Sequence, residues 1–99
     1  MYKLLFFLHK SEDDNLLEHF QKFTLKYLSE LTGNEITLAK VESNLLLDQK
    51  YSYFCEISAA SKDEMDKLMS TKAGKLLNKD LMDIHELITV IAVNYKEEK

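Results

Sequence analysis

Cysteine is almost missing: Cys55 stands alone among 99 residues, so no disulfide can close within the chain. Long hydrophobic runs are missing too. Met1-Tyr2-Lys3 leads straight into Leu4-Leu5-Phe6-Phe7-Leu8, too short for the core of a secretory signal or for a membrane span. The expected setting is therefore a reducing, cytoplasmic one, away from membranes. Nor is there an excess of positive charge. Thirteen Lys and Arg stand against seventeen Asp and Glu, a net charge of -4, and with both signs interspersed there is no basic field to attract nucleic acid. A small organic ligand or a protein is the better-founded partner. None of the three histidines falls in a His-x-His or His-Glu-x-x-His spacing, so neither a metal site nor a cofactor is expected. Repeats, linkers and low-complexity segments are also lacking.

What is present is enough for one packed domain. Apolar residues make up 45% and charged residues 30%, which places the chain among globular proteins. At this length the interior is small, and burying more surface against a second copy is a natural supplement.

Leu4 to Leu8, bounded by Lys3 and His9-Lys10, has the length of a buried strand, predicted over Tyr2 to Lys10. Ser11-Glu-Asp-Asp14 offers side-chain acceptors and negative charge to a helix start. Leu16, Phe20, Phe23, Tyr27 and Leu31 then recur at helical steps up to Gly33, predicting a helix over 14 to 32 with these five as its packed stripe. Residues 35 to 42 read as a weaker second strand near an edge, and 44 to 50 as a loop whose Leu45-Leu46-Leu47 either extends the strand or folds over something. Tyr51 to Ser58 alternates as a third strand, with Tyr51, Tyr53, Cys55 and Ile57 on one face and Phe54 and Glu56 on the other. Ser61-Lys-Asp-Glu64 opens a second helix with Met65, Leu68 and Met69 inward. Gly74 costs it about 1 kcal/mol relative to alanine, and Ser70 can cap anew, so a break near 70 is expected. Leu87 to Tyr95, rich in β-branched residues, is the last strand, and Lys96-Glu-Glu-Lys99 a frayed tail.

The order is βαββαβ, an α+β ferredoxin-like unit: one domain over 1–99, a four-stranded antiparallel sheet with helices on one face. Two helices cover only one face of such a sheet, yet the first and last strands are apolar on both (Leu4, Phe6, Leu8 against Leu5, Phe7; Leu87, Ile91, Val93 against Ile88, Val90, Ala92). The simplest cover for the second face is the same face of another copy, which predicts a homodimer.

Candidate chemistry is sparse. His9 leaves the first strand and His85 precedes the last, so either can serve as acid or base if a cavity opens between sheet and helices. His19, beside Phe20, is expected near the surface. Cys55 has no basic neighbour in sequence to make a thiolate and reads as core filler. Tyr51 and Tyr53 can line a cavity and hydrogen-bond a polar ligand. Asp80 interrupts the apolar side of the last helix; its plain role is to brace backbone amides, its sharper one to carry a proton.

Ser70, Gly74 four residues on, Asp80 six further and the bulky Ile84 before the last strand together resemble the signature of the EthD-like proteins. The resemblance implies a dimeric α/β barrel, in which a ferredoxin-like protomer pairs its sheet with a partner's. That family's first helix usually carries an aromatic residue followed by a histidine and ends in proline-glycine; here Leu31-Thr32-Gly33 ends the helix, and Thr24 stands roughly where that histidine would be, making it a ligand-facing candidate. The chain lacks tryptophan and proline, which weakens a rival resemblance to the haem-degrading monooxygenases of the same superfamily, whose pocket typically uses a tryptophan. The function implied is that of a small-molecule binding or accessory protein in the catabolism of organic compounds, taking a small hydrophobic ligand. The alternative is a cofactor-independent monooxygenase or isomerase using His9, His85 or Asp80.

Overall fold

The computed structural model describes residues 1–11 and 15–96. The expected helix start at Ser11-Glu-Asp-Asp14 and the tail at 97–99 therefore lie partly or wholly outside the described residues. Strands β1 (Tyr2–His9), β2 (Ala39–Lys40), β3 (Tyr51–Ala59) and β4 (Ile88–Asn94) form one antiparallel sheet in the order β2-β3-β1-β4. The apolar β1 and the longer β3 are the inner strands, each paired on two sides, while β4 and the two-residue β2 lie at the edges.

The first helix is a continuous rod in three segments: α1 (Asn15–His19), a π turn (Phe20–Thr24) and α2 (Leu25–Thr32). Gly33, at φ 71°, ends it in the left-handed conformation, its amide returning to the Ser29 carbonyl at 2.9 Å. The π turn changes the predicted stripe. A π turn takes more than four residues, so the buried row runs Leu16, Phe20, Thr24, Leu28, Leu31, while Phe23 is thrown outward at 47% exposure.

The second helical region breaks as expected into α3 (Lys62–Met69) and α4 (Lys72–Asp83). Ser61 accepts from the Glu64 amide at 3.2 Å, but the second cap is Thr71, accepting from the Gly74 amide at 3.2 Å, rather than Ser70. Gly74 is more than a tolerated cost. A Cβ there would stand 2.4 Å from the Met69 carbonyl oxygen, so the turn between α3 and α4 closes only over a glycine.

Helices and sheet enclose a core of Phe6, Leu8, Phe20, Leu28, Cys55, Met65 and Leu77, all within 2% of full burial. Among the described residues no helix lies on the other face of the sheet. Pairing register assigns Leu5, Phe7, Phe54, Ile91 and Val93 to it, with the Lys3–Glu56 ion pair at 3.0 Å along one side.

Candidate functional site

β1 and β3 fall out of step between Leu8 and His9, and this bulge relocates one tyrosine. Ser52 is the extra residue, its hydroxyl turned to the carbonyls of Leu8 and His9 at 3.3 and 3.4 Å. Tyr53 stays on the core face, but Tyr51 crosses to the helix-free face, its ring 4.9 Å from Phe7 and 5.8 Å from His9. The expectation of one face for both tyrosines is thereby corrected: simple alternation does not survive a bulge. His9 Nε2 meets the Thr89 hydroxyl at 2.7 Å, and His9 and Tyr53 both line a cleft of about 80 Å³.

His85 lies elsewhere. Its Nδ1 is 2.8 Å from the Met82 carbonyl, and it rims a groove of about 360 Å³ between α4 and the β1–β4 side of the sheet. Leu4, Met69, Leu81, Met82, Ile88 and Val90 make this groove apolar, with Asn78 and His85 as its polar groups. It exists because β4 extends past the helices: Ile88 is buried beneath them, whereas Val90, two residues on along the same face, is 41% exposed.

Asp80 occupies a third place. It points from α4 to the π turn, buried to 8% exposure, with Oδ1 2.6 Å from His19 Nε2 and Oδ2 accepting from the Thr24 hydroxyl at 2.5 Å. Its partners here are side chains rather than the backbone amides expected. A carboxylate only accepts, so the His19 ring places its hydrogen on Nε2 and leaves Nδ1 as the lone-pair nitrogen. Thr24 is fully buried, its hydroxyl spent on Asp80. His19 is one-third exposed and, with Asn15, Glu18, Lys22 and Phe23, borders a surface depression of about 200 Å³. The Phe23 ring lies 5.1 Å from the imidazole, and the Lys22–Glu18 pair, 2.7 Å apart, holds the Glu18 carboxyl below its usual range.

His9, His85 and Asp80 are thus in three separate surroundings, and the imidazole that meets Asp80 is His19. Sequence reasoning passed over His19 because a regular helix turns it away from the packed stripe. The signal was the run of four-residue steps from Leu16 through Thr24 to Leu28, too wide for an α-helix to keep in line. Cys55 is buried, and desolvation pushes its thiol up to about 12, so it stays protonated as core filler. Among the described residues no cluster of three or more His, Cys, Asp or Glu could hold a metal, and no helix is long and apolar enough to cross a membrane.

No family model and no curated protein matches the chain. Solved structures do. An ethyl tert-butyl ether D (EthD) family protein from Bacillus halodurans superimposes with a TM-score of 0.79 at 20% identity, covering 97% of this chain and 99% of its own. An Arabidopsis thaliana protein gives 0.63 at 16% identity, covering 99% and 95%, and HapK from Hahella chejuensis gives 0.61 at 13% identity, covering 100% and 96%. At these identities the likeness speaks for architecture: the chain has the α+β ferredoxin-like fold of an EthD family protein.

Proposed function

We propose that this protein binds a small hydrophobic organic molecule in the groove between α4 and the sheet, in a role accessory to the catabolism of such compounds, and works as a cytoplasmic homodimer joined through the helix-free face. The observation that carries it is the groove itself: about 360 Å³, within the range of small-molecule sites, walled by six apolar side chains and two polar ones. A mostly apolar lining selects apolar ligands, and Asn78 with His85 can orient one polar group on them. The name of the Bacillus halodurans protein's family supports an ether-like or similarly apolar compound. The dimer is supported by Leu5, Phe7 and Ile91 on a face that no helix of the described residues covers.

A thermal-shift screen of small apolar compounds tests the binding. A ligand that binds only the folded form at a hundred times its Kd adds about 2.7 kcal/mol and raises the melting temperature. Val90→Asp, at the exposed wall, should abolish the rise. A shift of equal size in that variant, or no shift with any compound, would overturn the assignment.

A second reading, a cofactor-independent isomerase or monooxygenase, is favoured by one observation: the 2.6 Å contact between the His19 ring and a buried carboxylate, an arrangement that orients an imidazole as a base.

A further inference from the structure

We infer, resting on the enzymatic reading above, that His19 is a catalytic base for small planar carbon acids held against Phe23, with Asp80 and Thr24 as its positioning residues. In this step neither His9 nor His85 takes the proton. The base is built in steps from the interior outward. Thr24 donates to Oδ2 of Asp80, which fixes the carboxylate; Oδ1 takes the Nε2 hydrogen of His19, which fixes the ring tautomer; and Nδ1 keeps the lone pair that can accept a proton. The π turn makes this possible, since the same widened turn that carries Thr24 inward to Asp80 throws Phe23 outward beside the imidazole.

Substrate class follows from the depression. At about 200 Å³ it takes a compound of one or two fused rings, and the half-exposed Phe23 ring offers such a compound a flat apolar platform. In the step itself the substrate C–H proton passes to Nδ1 of His19, and the bonding pair stays on the substrate, either delocalised onto an oxygen or expelling a leaving oxygen. The imidazolium, held by Asp80, then returns its proton to water or to another carbon of the same molecule. No oxidant or reductant is needed.

The probe is 5-nitrobenzisoxazole, whose deprotonation at carbon breaks its N–O bond and releases a coloured cyanophenolate. The intact protein should accelerate this over buffer containing equal free imidazole, and His19→Gln should remove roughly tenfold or more of the acceleration. Asp80→Asn should also lower the rate. Nitrogen-15 spectra of the unaltered protein give a reading that no folding defect can confuse, and neutral His19 must show hydrogen on Nε2. The opposite tautomer overturns the inference. Acceleration that survives His19→Gln but falls with His9→Gln or His85→Gln overturns it too and leaves the enzymatic reading standing. A parent no faster than buffer sinks both.

Discussion

Replacing Asp80 by alanine removes the acceptor on which a fully buried hydroxyl depends, and the cost can be worked from the contacts. Thr24 is wholly inaccessible and donates to Asp80 Oδ2 at 2.5 Å. Without that oxygen its hydroxyl either goes unpaired, at about 1–3 kcal/mol, or turns back to a carbonyl one turn earlier, which trims the loss. His19, one-third exposed, regains water and adds little. A net loss of about 2 kcal/mol follows, or roughly 8–16 °C in melting temperature for a domain of this size. Thr24→Val attacks the same bond from the other end, stranding one oxygen of a carboxylate that is itself 8% exposed, and should cost about 1.5–3 kcal/mol. Because both changes break one contact, the double variant should fall short of the sum by about 1 kcal/mol. Calorimetric melting of the four proteins is the assay. An Asp80→Ala protein that melts within about 0.5 kcal/mol of the parent, or a strictly additive cycle, would refute the brace and leave Asp80 as an acid held at the expense of stability.

Phe7→Glu puts a charge in the middle of the helix-free face, beside Tyr51 and Phe54. Light scattering at micromolar protein should show twice the 11.6 kDa chain mass for the parent and a single chain for the variant; a parent already at 11.6 kDa would end the homodimer proposal. Gly74→Ala gains about 1 kcal/mol in helix propensity but drives a Cβ to 2.4 Å from the Met69 backbone oxygen, which cannot swing away as a side chain would, so the urea midpoint should fall. A midpoint at or above the parent's would mean that α3 and α4 can part without penalty.

Hydrophobic period made most of the fold legible. Leu4 to Leu8 and the β-branched run before Tyr95 had no competing reading as helix, and the structure places strands at Tyr2–His9 and Ile88–Asn94. The second strand was overdrawn, eight residues against the two observed, because alternation in a polar segment records only that one side faces water, not that a neighbour is there to pair with. Leu45 and Leu46 show the opposite limit. Apolar character suggested that they either extend the strand or cover something, yet they stand outside any strand, 94% and 91% exposed, in a loop where Asn44 accepts from the amides of Leu46 and Leu47. Within the chain a loop follows its hydrogen bonds, even against the preference of its side chains.

The site was less legible because two irregularities, each a single residue wide, decide what it contains. Periodic reading assumes a constant step, two for strands and 3.6 for helices. Ser52 breaks the first step and moves Tyr51 away from Tyr53, so the two tyrosines expected to share a cavity face opposite sides of the sheet. The π turn breaks the second, exchanging Phe23 for Thr24 in the buried row. A threonine in that row is a poor core filler unless its hydroxyl is paired, and the acid that pairs it must come from a facing helix. Asp80 on the apolar side of α4 and Thr24 in the interior of the first helix therefore explain each other, and neither is explicable alone. Once that pair is fixed, the second oxygen of Asp80 still needs a donor, and the side chain in reach is His19, five residues before Thr24 and so one π turn away. A pairing of this kind is carried by the satisfaction of buried polar atoms rather than by hydrophobic period, which is why a stripe of leucines and phenylalanines pointed to the right helix and passed over its histidine.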